Sequence, residues 1–283
     1  MDFGVLMFMT DYATPAAALA QAMEARGFES LWAPEHSHIP LSRKTPFPGG
    51  GELPKPYYDA MDPFISLTAA AAVTTKLKLA TGVCLVIQRD TIQLAKTVAS
   101  LDQTSGGRFL FGIGGGWNQD EMEDHGTVYA TRFKRMREQI EAMREIWTKS
   151  KPEYHGEIVD FPPMMTWPKP VQNPLPIIVG GAFPHAARRA VRYGNGWIPI
   201  AGRASYGSFD EYFPAYKQML VEAGRSLADA PITMFGAAAD YDQLMRYKVL
   251  GITRVVAGLA SEGADKTLPM LDKWAELMRK VNG

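Results

Sequence analysis

The chain has 283 residues, 46% of them hydrophobic, so it is long enough to bury a large core within one domain. Lys and Arg together number 30, as do Asp and Glu, and this zero net charge without a basic stripe excludes a nucleic-acid-binding protein. A single cysteine excludes an internal disulfide and favours a reducing, cytoplasmic location.

Short apolar runs recur along the chain, separated by segments of helical length. The first, in MDFGVLMFMTDY, is too short to span a membrane, and we interpret it as a strand. The predicted strands are residues 3–8, 30–33, 77–85, 109–113, 177–180, 197–200, 232–235 and 254–257. Eight strands that alternate with helices are typical of a closed α/β barrel, the (β/α)8 or TIM barrel. We therefore predict one domain over residues 1–283.

Capping residues predict several helix boundaries. Thr14 and Pro15 are expected as the N-cap and first residue of the first helix, with Leu19, Ala20 and Met23 facing the core. Pro184 and Gly194 bracket a later helix, and the last helix is expected to begin near Lys266.

Two long insertions interrupt the regular alternation of strands and helices. Residues 36–61, after the second strand, are rich in Pro and Gly, and residues 117–176, after the fourth, contain a long amphipathic helix and a predicted hairpin over 153–161. Both insertions leave the carboxyl ends of strands, where barrel enzymes carry their active sites. We expect the first insertion to act as a lid with an apolar face from Pro46 to Tyr58; a surface ornament or a dimer contact is the alternative.

The segment from Lys76 to Trp117 carries the most information. Its order is strand, turn, helix and second strand, and Gly114, Gly115 and Gly116 follow at the end of that strand. Consecutive glycines let a backbone approach a flat or charged molecule closely, because no Cβ intervenes.

That segment resembles the luciferase-like monooxygenase superfamily, and within it the deazaflavin branch that uses coenzyme F420. The matching motifs are TGVCL, LDQTSGGRFLFGIGGGWN, WPKPVQNPLPIIVGGA and YGNGWIPI, and the similarity runs from Phe3 to about Ile200. The resemblance implies a TIM barrel that holds a planar redox ring at the carboxyl ends of its strands.

Glu35 and His36 lie at the end of the second strand. An imidazole suits proton transfer or hydrogen bonding there, because histidine as a residue type titrates near neutral pH; a loop histidine bonded to a neighbour is the alternative. Related sugar-phosphate dehydrogenases have an acidic residue followed by a histidine at this place. The resemblance therefore implies His36 as the catalytic residue and Glu35 as a cofactor contact.

The resemblance implies three further cofactor contacts. It places a non-prolyl cis peptide between Gly82 and Val83, in a bulge behind the ring. It lets Gly114, Gly115 and Gly116 admit the ribityl chain, with Trp117 on the substrate side. The turn of Gly180, Gly181 and Ala182 contacts the phosphate-bearing tail, as backbone N–H groups beside a helix N-terminus favour anions.

One departure from the sugar-phosphate dehydrogenases concerns Trp117, because those enzymes have an acidic general acid at its place. Its absence argues against that substrate. Asp120, Glu121 and Glu123 are expected to cap the next helix. Asp102 and Arg108 are expected to serve structure, through a helix-end hydrogen bond and an ion pair at the barrel base.

The remaining reactive side chains have either a structural or an auxiliary interpretation. Cys84 lies in an apolar run without a histidine partner and is interpreted as core. His38 matches no motif, Arg188 and Arg189 are possible helpers at the phosphate turn, and no metal site is predicted.

The leading hypothesis is an F420-dependent oxidoreductase that transfers a hydride to or from a small organic substrate. The alternatives are an FMN-dependent monooxygenase with a partner reductase and a non-catalytic F420-binding protein. No membrane partner is expected, and a homodimer is expected because related barrels commonly pair.

Overall fold

A computed structural model describes residues 1–203 and 207–283. In these ranges, nine parallel strands form the main sheet: β1 (Asp2–Leu6), β2 (Ser30–Ala33), β3 (Lys78–Thr81), β4 (Cys84–Leu85), β5 (Phe109–Gly114), β8 (Ile177–Gly180), β9 (Gly196–Ile198), β10 (Thr233–Phe235) and β11 (Arg254–Gly258). A separate antiparallel hairpin consists of β6 (Tyr154–His155) and β7 (Asp160–Phe161).

The main sheet closes into a barrel. Its strand order is β10-β11-β1-β2-β3-β5-β8-β9, and β4 pairs with β5 as a continuation of β3. Parallel bridges from Trp197 to Ile232 and from Ile200 to Phe235 join the two ends of this path. The predicted TIM barrel is confirmed.

Helices surround the barrel. Within the described ranges they are α1 (Ala16–Ala25), α2 (Pro63–Ala72), α3 (Thr91–Ser105), α4 (Gln119–Asp124), α5 (Arg132–Thr148), α6 (His185–Tyr193), α7 (Phe209–Glu222), α8 (Tyr241–Val249) and α9 (Ala264–Asn282). Side-chain oxygens cap four of them, those of Asp62, Asp90, Ser208 and Asp240.

The predicted start of the first helix is wrong by one residue, whereas the predicted start of the last helix agrees with the structure to within two residues. Pro15 precedes α1 rather than lying in it, and the Thr14 hydroxyl donates to the Glu262 carbonyl instead of capping the helix. The last helix begins at Ala264, before Lys266. Pro184 and Gly194 bracket α6 as predicted.

The barrel interior has its own apolar layer, to which most strands contribute one side chain: Trp32, Ala80, Leu110, Ile178, Ile198, Phe235 and Val256. Leu6, Val83 and Ile200 pack on it. A larger core fills the space between the strands and the helices. The interior layer therefore closes the barrel and forms a floor at its carboxyl-end mouth.

The base of the barrel is held differently from the prediction. Arg108 donates to the carbonyls of Ala71, Thr74, Leu77 and Ser105, whereas Asp102 accepts from Gln172. The predicted ion pair of Arg108 is wrong, because the ends of α2 and α3 leave carbonyl oxygens that the guanidinium satisfies.

An ion pair does lie at the base, between Arg254 at the start of β11 and Glu29 just before β2. The Arg254 Nη2 to Glu29 Oε1 distance is 2.6 Å, and Lys78 Nζ lies 3.0 Å from the same oxygen.

Candidate active site

A cavity of about 690 Å³ opens at the carboxyl-end mouth of the barrel. All the site residues predicted from the sequence line it: Glu35, His36, Gly82, Val83, Gly114, Gly115, Gly116, Trp117, Gly180, Gly181 and Ala182. They lie at or just after the carboxyl ends of four different strands, and closure of the barrel brings those strand ends to one rim.

A bulge between β3 and β4 forms the back of the cavity. Ala80 pairs with Leu110 and Cys84 pairs with Ile113, so the β3–β4 side carries one residue more than β5. The Gly82–Val83 peptide within the bulge is cis, as the resemblance implied.

Two glycines make room for this bulge. A Cβ on Gly114 would lie 2.5 Å from Val83 Cγ2, and a Cβ on Gly180 would lie 2.8 Å from Val83 Cγ1. Both distances are well inside the van der Waals contact of two carbons. These glycines therefore admit a protein side chain, a role that the sequence analysis did not assign to them.

Glu35 holds the segment that follows the bulge through hydrogen bonds to Leu85 and Arg89. Its Oε2 accepts the backbone N–H of Leu85 at 2.6 Å, and its Oε1 accepts Arg89 Nε at 2.6 Å. Arg89 also contacts Asp62, at 2.5 Å. Glu35 lines the cavity, but both of its carboxylate oxygens are engaged within the protein.

His36 is held by a residue that the sequence analysis assigned to another role. Its Nδ1 lies 2.7 Å from Glu121 Oε2, and Glu121 Oε1 accepts the N–H of Ser37 at 3.0 Å. The Glu121 side chain is 1% exposed. Because a carboxylate accepts hydrogen bonds, Nδ1 carries the hydrogen and Nε2 is left for a ligand in the cavity.

Asp120 and Glu121 lie in the first turn of α4, as expected, but their hydrogen bonds go to another segment instead of capping the helix. Asn118 occupies the N-cap position, and Asp120 accepts the Ser42 hydroxyl and the backbone N–H of Lys44. Two carboxylates of α4 thus tie down the insertion that follows β2. Their spacing in the sequence matched helix capping equally well, so it did not indicate this long-range role.

Aromatic rings form one wall of the cavity and its rim. Tyr57 lies 4.5 Å from Phe8 and 5.2 Å from His36, and Trp117 lies 5.9 Å from His36, measured between ring centroids. Phe47 of the insertion contacts both Tyr57 and Trp117. Burial raises the pKa of Tyr57, so its phenol stays protonated at neutral pH.

The opposite end of the cavity is cationic. Arg189 and Arg132 lie over the ring of Phe133, at 3.9 and 4.4 Å from its centroid, and all three side chains line the cavity. The Nε atoms of both arginines are buried and have no hydrogen-bond partner within the described ranges. Orphaned guanidinium donors of this kind fit an anionic ligand.

The glycine turn lies beside these arginines. A Cβ on Gly181 would lie 3.8 Å from Arg189 Nη2. The Gly181 N–H already donates to the Ile198 carbonyl at 3.2 Å, whereas the Ala182 N–H has no acceptor among the described residues. The turn therefore offers Ala182, not Gly181, as its backbone donor.

The two side chains set aside in the sequence analysis, Cys84 and His38, do not line the cavity, and of the two possible helpers at the phosphate turn only Arg189 does. Cys84 is fully buried, and burial raises the pKa of its thiol well above the ordinary value. His38 bonds to Asp124 and Ser37 near the surface, and Arg188 does not line the cavity.

The described residues contain no cluster of three or more metal-ligating side chains. Among them, no helix combines the length and apolarity that a membrane span requires.

Comparison with known proteins shows the family. The sequence model of the luciferase-like monooxygenases matches residues 1–246. An uncharacterized protein of Mycobacterium tuberculosis (strain ATCC 25618 / H37Rv) is 37% identical over 283 residues, covering 97% of this chain and 98% of that protein. An F420-dependent glucose-6-phosphate dehydrogenase of Nakamurella multipartita is 28% identical over 254 residues, covering 88% of this chain and 70% of that protein.

Solved structures share the fold. The monooxygenase RslO1 from Streptomyces bottropensis superposes with a TM-score of 0.79 at 19% identity, covering 100% of both chains. An F420-dependent secondary alcohol dehydrogenase in complex with an F420-acetone adduct superposes with a TM-score of 0.74 at 19% identity, covering 99% of this chain and 98% of that protein. Since the family's sequence model spans most of its length, this chain belongs to the luciferase-like monooxygenase family.

Proposed function

We propose that the protein is an F420-dependent oxidoreductase that transfers a hydride between the deazaflavin and a small organic substrate. One observation carries the proposal: a single cavity joins a bulged back wall, a histidine held by a carboxylate, and a cationic end with orphaned donors. The F420-dependent dehydrogenase of Nakamurella multipartita, at 28% identity, supports the choice of cofactor.

The cavity fits such a ligand in shape and charge. Its volume of about 690 Å³ lies within the range of cofactor sites. Val83 offers an apolar surface to one face of a planar ring. Arg189 and the Ala182 N–H offer donors to a phosphate group at the far end.

When bound, the deazaflavin supplies a hydride donor or acceptor that reacts slowly with oxygen. The residues of this chain position the reactants and exclude water. Phe47, Tyr57 and Trp117 cover the mouth on the side of His36.

His36 is the group that moves a proton. Glu121 fixes the hydrogen on Nδ1, so a neutral His36 presents Nε2 as an acceptor for a substrate hydroxyl. In the opposite direction, the protonated imidazole donates to a substrate carbonyl.

The rim favours a substrate with an apolar body. Trp117 stands where the sugar-phosphate dehydrogenases have a carboxylate, and its ring packs on His36 and Phe47. We therefore propose a small alcohol or carbonyl compound rather than a sugar phosphate.

A titration with F420 and with FMN, followed by absorbance and fluorescence, tests the proposal. Saturable binding of F420, followed by its reduction with a panel of small alcohols without oxygen uptake, is the expected result. Binding of FMN alone, with oxygen uptake once it is reduced, would favour a monooxygenase, and F420 binding without turnover of any substrate would favour a carrier.

A His36→Ala variant should bind F420 normally and lose turnover. The cytoplasmic location and the homodimer stay predictions.

A further inference from the structure

A second, basic groove lies outside the cavity, between α5 and α6. It has a volume of about 580 Å³. Its lining consists of Phe133, Lys134, Arg137, Glu157, Arg188, Arg189, Arg192 and Tyr193. Five of these side chains are cationic and one is a carboxylate. We refer to it as the α5–α6 groove.

The cations on its two sides differ in their partners. On α5, Lys134 pairs with Glu157, and Arg137 lies 3.6 Å from Glu141. On α6, Arg188, Arg189 and Arg192 form no ion pair with any carboxylate of the described residues. Arg188 and Arg192 are exposed on the same face of the helix, one turn apart. A row of uncompensated guanidinium groups is therefore ready to accept anions.

The α5–α6 groove continues from the cavity. Phe133 and Arg189 line both spaces, and the Arg189 guanidinium lies 3.9 Å from the Phe133 ring centroid. Arg189 also borders the turn at Gly181, where the proposed cofactor phosphate would lie. Arg189 and Phe133 thus lie at the place where the cavity and the α5–α6 groove meet.

We infer that the α5–α6 groove binds an extended, carboxylate-rich tail that leaves the cavity at Arg189. This inference rests on the proposed function, since the tail in question is the oligoglutamate that follows the phosphate of F420. Guanidinium groups bind carboxylates through paired hydrogen bonds, and a row of them on one helix face suits carboxylates repeated along a flexible chain. Arg188 and Arg192 would act on the tail and not on the ring.

Equilibrium titration of the intrinsic deazaflavin fluorescence with three ligands tests the inference. They are the ring with its ribityl chain but without phosphate, F420 with a short oligoglutamate tail, and F420 with a long one. The proteins are the wild type, the double variant Arg188→Gln/Arg192→Gln, and a control, Lys273→Gln/Arg279→Gln. The control removes the same charge from the exposed face of α9.

We expect the wild type and the control to bind the long-tailed form about fivefold to tenfold more tightly than the short-tailed form, as several screened charge pairs act together. The Arg188→Gln/Arg192→Gln variant should lose this difference and bind the tail-free ring as the wild type does, which also shows that it is folded. The advantage of the long tail should shrink at high ionic strength.

Two results would overturn the inference, and they are distinguishable. If both forms of F420 bind with equal affinity, or if the long-tail advantage survives in the Arg188→Gln/Arg192→Gln variant, the groove has no part in binding and the proposed function stands. If none of the three ligands binds to the wild type, the proposed function fails together with the inference.

Discussion

The contact between Gly114 and Val83 allows a quantitative test of the bulge. A Gly114→Ala substitution places a Cβ 2.5 Å from Val83 Cγ2, so the two groups must separate by about 1 Å. The other atom of Val83 within 4 Å of that position is its Cβ, at 3.5 Å, which is an ordinary contact. The clash therefore depends on the valine methyl group.

Overpacking of this kind should destabilise Gly114→Ala by about 1–3 kcal/mol. Val83→Ala alone should lose about 1 kcal/mol, because Val83 is half-buried against the interior layer. In the double variant the clash disappears, so its free energy of unfolding should exceed the additive expectation by about 1–3 kcal/mol. Affinity for F420 should not recover, since the double variant lacks the methyl groups that we propose as the contact of Val83 with the ring.

Urea denaturation of the four proteins measures this coupling. Gly258→Ala is the matched control, because Gly258 lies at the end of β11, has no left-handed φ, and has no atom within 4 Å of the position that a Cβ would take. Its stability should stay unchanged or rise slightly. If the changes in the free energy of unfolding for Gly114→Ala and Val83→Ala were additive, the claim that position 114 needs a glycine because of the Val83 side chain would be refuted.

Three further predictions concern other parts of the chain. Burial alone would raise the pKa of Glu29, but the neighbouring cations Arg254 and Lys78 lower it from its ordinary 4.5 to about 2. The ionised carboxylate should therefore contribute about 3 kcal/mol to the free energy of unfolding above pH 4.5, and this contribution should be lost as the pH falls toward 2. Acid titration of Glu29→Gln should show a smaller loss over that range than the wild type, and equal losses would contradict the assignment. Glu121→Gln should move the hydrogen of neutral His36 from Nδ1 to Nε2. The side-chain amide of the glutamine would accept the Ser37 N–H through its oxygen and donate through its NH₂ group to His36 Nδ1. The ¹⁵N NMR spectrum of the ring reports this change of tautomer, and an unchanged spectrum would contradict the prediction. Cys84 should react with a thiol reagent only after unfolding, since it is buried and its thiol pKa is raised; rapid labelling of the native protein would be inconsistent with this placement.

Local signals predicted the barrel well. Short apolar runs separated by helical segments placed all eight barrel strands, and the residues that the resemblance implies as cofactor contacts line one cavity at the barrel rim. The strand positions follow from patterns within a few residues of each other, and the shared rim follows from the rule that parallel strands end together; the cofactor roles rest on the resemblance.

Contacts between distant segments were not predictable in the same way. Glu121 reaches His36 across 85 positions of the chain, and the acidic run in which it lies was equally compatible with helix capping. The ion pair at the barrel base was assigned to Arg108, but Glu29 and Arg254 form it, 225 positions apart. The charge of a residue does not indicate which residue it pairs with, because the partner is determined by how the whole barrel packs.

A crystal structure with F420 bound tests the central claim most directly. We predict the deazaflavin ring against Val83, its phosphate beside Ala182 and Arg189, and His36 Nε2 facing the open side of the ring. A ring bound elsewhere, or a phosphate distant from the turn at Gly180, would contradict the account.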